Sequence, residues 1–392
     1  MITKIKVRNF KSLADVDVEL GAVNVFIGAN GSGKSNLLEA IGVLSAAAFG
    51  RVDDESLQRR GVRPTVPQLF KSAFPREHLA KLGNIFFSAG SRDARYDVAL
   101  SSVPMDRGAV WCFESETLYY SDRTLINRPP RELNPAQGYI ALKSVELPAA
   151  SRDVLDLLRG YAVYCANTAT LRGLSQDQQL RSPVGLSGGR LPEAIAELQR
   201  AASQRRNESL AECVQGIVPL IDWAESVSSA PSTSMSLAPA ATASRRVIRF
   251  RDRFMEKRKN VLSGYEASEG ALYILFAAIL ALHPKAPRFL ALDNFDQALN
   301  PRMAMRLSSN FCDWVLKTEK RQVLLTSHSP AVLDGLPLKD DRVRLFTVDR
   351  NTHGHTVVNR VELTDRLLSK AEQGWTLSRL WVNGLIGGVP NV

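Results

Sequence analysis

Residues 28–35 read GANGSGKS, and the residues on either side decide how that octapeptide is read. Before it stands VNVFI (residues 23–27), a continuous apolar run of the kind that forms a central parallel strand buried on both faces. After it, Asn36 to Phe49 carries Leu37, Leu38, Ile41 and Leu44 at helical spacing. Strand, G-x-x-x-x-G-K-[ST] loop and helix together make a phosphate-binding loop, or P-loop. Glycines let backbone N–H groups curl around a phosphate, and the helix N-terminus adds its partial positive charge. Asn30, Gly31, Ser32 and Gly33 supply that backbone, while Lys34 is placed to reach phosphates and Ser35 to offer a hydroxyl to Mg²⁺. The ligands implied are ATP and Mg²⁺.

Such a loop needs a second magnesium carboxylate at the end of a neighbouring strand. RFLALD (residues 288–293) supplies one, since Asp293 is the first acidic residue after an apolar run. LLTSHSP (residues 324–330) is another apolar strand, ending in Ser327 and His328, where a γ-phosphate contact is expected. ASEGALYILFAAIL (residues 267–280) sets Ser268, Glu269 and Gly270 at the start of a long helix. Those three either bind an anion through the helix N-terminus or amount to a capping serine with no ligand.

With 392 residues, 45% hydrophobic and 23% charged, the chain has room for one large domain or two lobes. Its net charge of +10 favours a polyanionic partner, nucleic acid being the commonest. In RRVIRFRDRF (residues 245–254), strand alternation puts Arg249, Arg251 and Arg253 on one face and Ile248, Phe250 and Phe254 on the other. Three guanidiniums in a row suit a phosphate backbone, and they equally suit a solvated outer face. Cys112, Cys165, Cys213 and Cys312 stand far apart and read as small buried hydrophobes in a reducing cytosol. The longest apolar run, Ala271 to Leu282, is too short to span a bilayer, so a cytoplasmic protein without membrane contact is expected.

Along the chain, Ile2–Val7 and Val16–Leu20 alternate as strands, and residues 84–126 alternate in bursts that fit an antiparallel meander. Residues 50–82 read as loop with short helices, and helical spacing dominates from Arg152 to about Trp223. SVSSAPSTSMSLAPAATAS (residues 226–244) is low in complexity and reads as a mobile loop. Strands are expected again at Arg246–Phe254, Phe289–Leu292, Val323–Thr326 and in VRLFTV and TVVNRVEL, before a helix-rich tail. NTHGHT, with His353 and His355, reads as a hairpin turn rather than a metal pair. This reading divides the chain into a core of residues 1–50 and 245–392 and an inserted lobe of residues 51–244.

The order GANGSGKS, ASEGALYIL, LALDNFDQALNP, LLTSHSP resembles the soluble branch of the ABC-class ATPases, which includes the SMC, RecF-type and OLD-like bacterial ATPases. KVRNFKSLADVDVELGAVNVFIGANGSGKSNLLEAI and SPVGLSGGRLPEAIAEL (residues 182–198) look most like the OLD-like group. The resemblance implies an α/β fold, a P-loop NTPase head of the ABC type with an antiparallel side sheet and a helical insertion. It puts Ser268 to Gly270 at the signature motif, Asp293 at Walker B, Leu299 to Pro301 at the D-loop and His328 at the switch. It also implies a glutamine-bearing Q-loop, for which Gln58 and Gln68 both stand as candidates. Two heads of this class sandwich two nucleotides, so an ATP-dependent homodimer is implied.

Relatives of this group often carry a TOPRIM-type nuclease behind the ATPase, and residues 329–392 are too few for one. By analogy the chain is expected to serve a separate effector, a nuclease or toxin, in phage defence, with a RecF-like repair ATPase or a non-hydrolysing scaffold as alternatives. WTLSRLWVNGLIGGVP (residues 375–390) is either an arm packed on its own head or a docking peptide for that partner, and docking is the reading preferred here. In LDNFD (residues 292–296), Asn294 stands where relatives carry the glutamate that polarises the attacking water. Slow turnover is expected, with Asp296 as a substitute base.

Overall fold

The structure is a computed structural model that describes residues 1–392 except 75–82, 106–107, 129–135, 143–145, 205–206, 238–244, 319 and 388–392. Strands are numbered β1 (Lys4–Phe10), β2 (Leu13–Glu19), β3 (Val23–Ile27), β4 (Ile85–Gly90), β5 (Ala94–Met105), β6 (Gly108–Tyr120) and β7 (Arg123–Arg128). They continue with β8 (Val163–Tyr164), β9 (Ala224–Pro231), β10 (Arg246–Asp252), β11 (Val261–Ser263), β12 (Phe289–Leu292), β13 (Gln322–Ser327), β14 (Val343–Arg350) and β15 (Thr356–Val361).

The central sheet runs β15-β14-β3-β13-β12-β8, with every pairing parallel except that of the edge strand β15. Its inner strands β3, β12 and β13 are almost wholly buried and mostly apolar because both faces are covered. Phe26, Phe289, Ala291 and Leu324 point into one core, and Val25, Leu290, Leu292 and Leu325 into the other. The P-loop helix (Lys34–Phe49) fills the first face. The helix Glu269–Leu282 fills the second and is buried all round, which its nearly unbroken apolar sequence requires. Since β3, β13 and β12 are neighbours and parallel, Gly28, Asp293 and His328 all emerge at one edge of the sheet.

A second six-stranded sheet, β2-β1-β4-β5-β6-β7, is antiparallel. The expected meander is therefore continuous with the opening hairpin rather than an insertion of its own. The expected boundary at residue 244 is also crossed. β8 belongs to the central sheet, and β9 pairs with β10 in a third sheet, β11-β10-β9. Within SVSSAPSTSMSLAPAATAS, the part up to Pro231 is thus strand and not loop, while residues 238–244 lie outside the described residues. Its small side chains hid the alternation, yet Val227 and Ala230 point inward against the helix Leu191–Ala202.

The tail also departs from expectation. The helix Leu377–Val382 packs against the turn Pro330–Gly335, with Leu380 1% and Trp381 7% exposed. Ser378 adds bonds from its N–H and Oγ to the Asp334 carboxylate at 2.9 and 2.6 Å. The tail packs as an arm on its own head through Leu380 and Trp381, while Val382 and Leu385 stay exposed. Among the described residues, no helix is long and apolar enough to cross a membrane.

Candidate nucleotide site

The P-loop has the backbone its sequence demands. Gly31 and Gly33 have φ of 77° and 111°, in the left-handed region that favours glycine. Lys34 donates Nζ to the carbonyls of Gly28 and Ala29 at 2.7 and 2.9 Å, and lies 3.3 Å from His328 Nδ1. Burial lowers its ammonium to about 8, against the opposing pull of Asp293 and Asp296. A poorly hydrated cation over a ring of N–H groups is suited to phosphate. Burial and the Lys34 charge likewise lower the His328 imidazole.

Ser35 donates Oγ to Asp293 at 3.0 Å to Oδ2 and 3.3 Å to Oδ1, across 258 residues of sequence. A hydroxyl and a carboxylate this close form a hard oxygen donor set that fits Mg²⁺. Thr326 Oγ1 holds the same carboxylate and accepts the N–H of Asn294 at 2.9 Å. Asn294 has φ of 57°, a conformation asparagine tolerates better than glutamate. Tyr273 donates its hydroxyl to the Asn294 carbonyl at 3.1 Å, and the Asn294 side chain bonds the Cys165 thiol. Asp296 Oδ1 accepts the backbone N–H of His328 at 3.2 Å.

Ser268 caps the helix Glu269–Leu282 by accepting from the N–H of Ala271 at 3.4 Å. Trp223 Nε1 donates to the same oxygen at 3.4 Å. With both lone pairs engaged, the exposed hydroxyl has its proton left to donate outward. Glu269 is bonded by Thr168, and a Cβ on Gly270 would meet Ala298 O at 3.0 Å.

Lys34, Ser35 and His328 share a cavity of about 300 Å³ with two arginines that no sequence motif marks, Arg63 and Arg350. Arg63 is tied to buried Glu39 at 2.5 Å, a pairing visible only once the P-loop helix is folded. Ser268 to Gly270 do not line this cavity, and neither do Gln58 and Gln68. The strand beside β12 is β8, and Cys165 follows it. Cys165 is also exposed, unlike the other three cysteines. His353 and His355 lie in the β14–β15 turn as expected, and no metal-binding group of three His, Cys, Asp or Glu occurs among the described residues.

Arg249, Arg251 and Arg253 are exposed, with Ile248 and Phe250 buried behind them. Phe254 departs from the expected face. β10 ends at Asp252, the chain turns, and the ring is left 78% exposed.

A family model described as "AAA ATPase domain" matches residues 1–75, and one described as "AAA domain, putative AbiEii toxin, Type IV TA system" matches residues 222–334. The DNA replication and repair protein RecF of Nocardioides sp. is 32% identical over 133 residues, which is 33% of this chain and 31% of that protein. RecF of Paenarthrobacter aurescens is 47% identical over 49 residues, 12% of each. The matched stretches thus span about a third or less of these curated relatives. A solved Smc head domain with an extended coiled coil, bound to the C-terminal domain of ScpA and derived from Pyrococcus furiosus, superposes with a TM-score of 0.49 at 14% identity. It covers 95% of this chain and 98% of its own. The first family match carries the P-loop and the second carries Ser268, Asp293 and His328. Both sections that meet at the edge of the parallel sheet thus match ATPase family models, and these matches, with the likeness to RecF, support an ABC-class ATPase head of the SMC/RecF-like kind.

Proposed function

We propose that this head is a slow ATPase that dimerises around ATP-Mg²⁺ and regulates a separate nuclease or toxin in bacterial phage defence, with nucleic acid as the sensed partner. The observation that carries the dimer is the separation of two half-sites. Ser268 presents an exposed hydroxyl outside the cavity that Lys34 and Ser35 line, so a second copy would complete each nucleotide site. The toxin–antitoxin wording of the second family description supports the defence role. The row of exposed arginines and the net charge of +10 support nucleic acid.

Identity to RecF favours a second reading, a DNA repair ATPase that needs no effector. Activation by DNA ends without any partner would favour it. Stoichiometric retention of ATP without turnover would favour a scaffold instead. The dimer is tested by light scattering with ATP on the parent and on Ser268→Arg, which fills the phosphate-facing side of the signature. The parent should double in mass with ATP and the variant should stay monomeric while still binding ATP. Equal ATP-dependent mass for both would overturn the composite site.

A further inference from the structure

The β14–β15 hairpin, which forms one edge of the central sheet, grips the P-loop. Thr356 donates Oγ1 to Ser32 O at 2.7 Å and its N–H to Ser12 O at 2.8 Å. The Val348 carbonyl lies 2.1 Å from where a Cβ on Gly28 would be, so only glycine allows so close an approach. Arg350, the last residue of β14, donates Nε to Gly31 O at 3.0 Å and Nη1 to Gly354 O at 2.6 Å. These two bonds fix the guanidinium plane at the rim of the Lys34 cavity, which Arg350 lines.

The two arginines of that cavity differ in what they hold. Arg63 pairs with a carboxylate, Glu39, which it shares with Lys11. Arg350 has only carbonyl partners, and no carboxylate pairs with it among the described residues. Two of its five N–H donors are engaged, which leaves a positively charged edge next to the P-loop. Guanidinium is the side chain best shaped to meet a phosphate through several parallel N–H bonds.

We propose that Arg350 binds the phosphate chain of the nucleotide, supplied to the site in cis by the C-terminal hairpin. The assignment rests on GANGSGKS being the nucleotide loop, and a control separates the two. MgATP affinity is measured by calorimetry on the parent, Arg350→Lys, Arg350→Gln and Lys34→Ala, with thermal unfolding of the nucleotide-free proteins to confirm the fold. Arg350→Gln should bind roughly 10- to 100-fold more weakly, as expected for a lost charge-assisted bond. Arg350→Lys should keep most of the affinity. Glutamine still offers an N–H to Gly31 O, so a mere clamp on the loop would leave Arg350→Gln close to the parent, and that result would overturn the proposal. Equal losses for Lys and Gln would overturn it too. If Lys34→Ala binds MgATP as the parent does, the nucleotide loop itself is wrong. If Lys34→Ala fails and Arg350→Gln binds normally, only Arg350 is wrong.

Discussion

Asp296 Oδ1 accepts the backbone N–H of His328 at 3.2 Å, which ties the acid proposed as the substitute base to the residue that ends β13. Asn294, proposed above to stand in for a catalytic glutamate, has its backbone fixed by Thr326 and Tyr273. An amide can orient a water but cannot take its proton at neutral pH. The parent should therefore hydrolyse ATP slowly in single-turnover assays. Asn294→Glu should raise the rate, by up to about 10² to 10⁴ if general-base assistance is fully restored. Left-handed backbone at this position costs a glutamate about 1 kcal/mol, so the gain falls toward the lower end. Asp296→Asn keeps an acceptor for His328 while removing the carboxylate, and it should abolish whatever turnover depends on Asp296. Fast parental turnover that survives Asp296→Asn would show that neither residue is the base.

Lys34 makes nucleotide binding sensitive to pH. Burial holds its ammonium at about 8, against 10.5 for the exposed group. Between those values the folded protein binds fewer protons than the unfolded chain, so this group's contribution to stability rises with pH across that window. Phosphate supplies the missing counter-charge and restores the proton. At pH 8.5, calorimetry in buffers of different ionisation enthalpy should show proton uptake on ATP binding, and affinity should fall as pH rises further. Lys34→Ala should lose the uptake together with most of the affinity, without loss of fold.

The nucleotide side of the site was legible because its spacing is chemical. GANGSGKS, the aspartate after FLAL and the histidine after VLLTS each sit at the end of an apolar strand, and parallel strands deliver their ends to one edge. What could not be read depends on contacts between distant segments. Arg350 reaches Gly31 across 319 residues of sequence, and Arg63 is fixed by Glu39 on a helix it does not adjoin. β9 escaped notice because serine and alanine blur its period, and only its ladder with β10 makes it a strand. The tail carries the composition of a docking peptide, and the sequence could not show that its apolar face already has a partner on its own head.

That tail gives a stability prediction. Leu380 is buried against the turn that follows the switch histidine, so Leu380→Ala should destabilise the head by about 2 to 4 kcal/mol in chemical denaturation. ATP affinity at low denaturant should be unchanged, since the helix lies outside the nucleotide cavity. Deleting residues 375–392 without any loss of stability would restore the docking reading.

The exposed arginines of β10 and its end make the nucleic-acid reading measurable. Arg249 and Arg253 bond only neutral oxygens, Ser228 Oγ at 3.1 Å and Ala224 O at 2.7 Å, and Arg251 has one loose pairing with Glu225 at 4.0 Å. Arg249 and Arg253 thus have no carboxylate partner among the described residues, and Arg251 has only this distant one. Reversing them to glutamate should weaken binding and reduce the slope of log affinity against log salt by roughly two to three on duplex DNA, about 0.9 for each phosphate that is no longer neutralised. Phe254 adds a second arm. Its ring stands 78% exposed beside Arg253, and base stacking on an aromatic is worth about 1 to 3 kcal/mol only where the bases are unpaired. Phe254→Ala should therefore weaken single-stranded ligands and leave duplex affinity nearly as it was. An unchanged salt slope in the arginine variant would place the nucleic-acid surface elsewhere. An equal effect of Phe254→Ala on both ligands would mean that the ring packs against something other than a base.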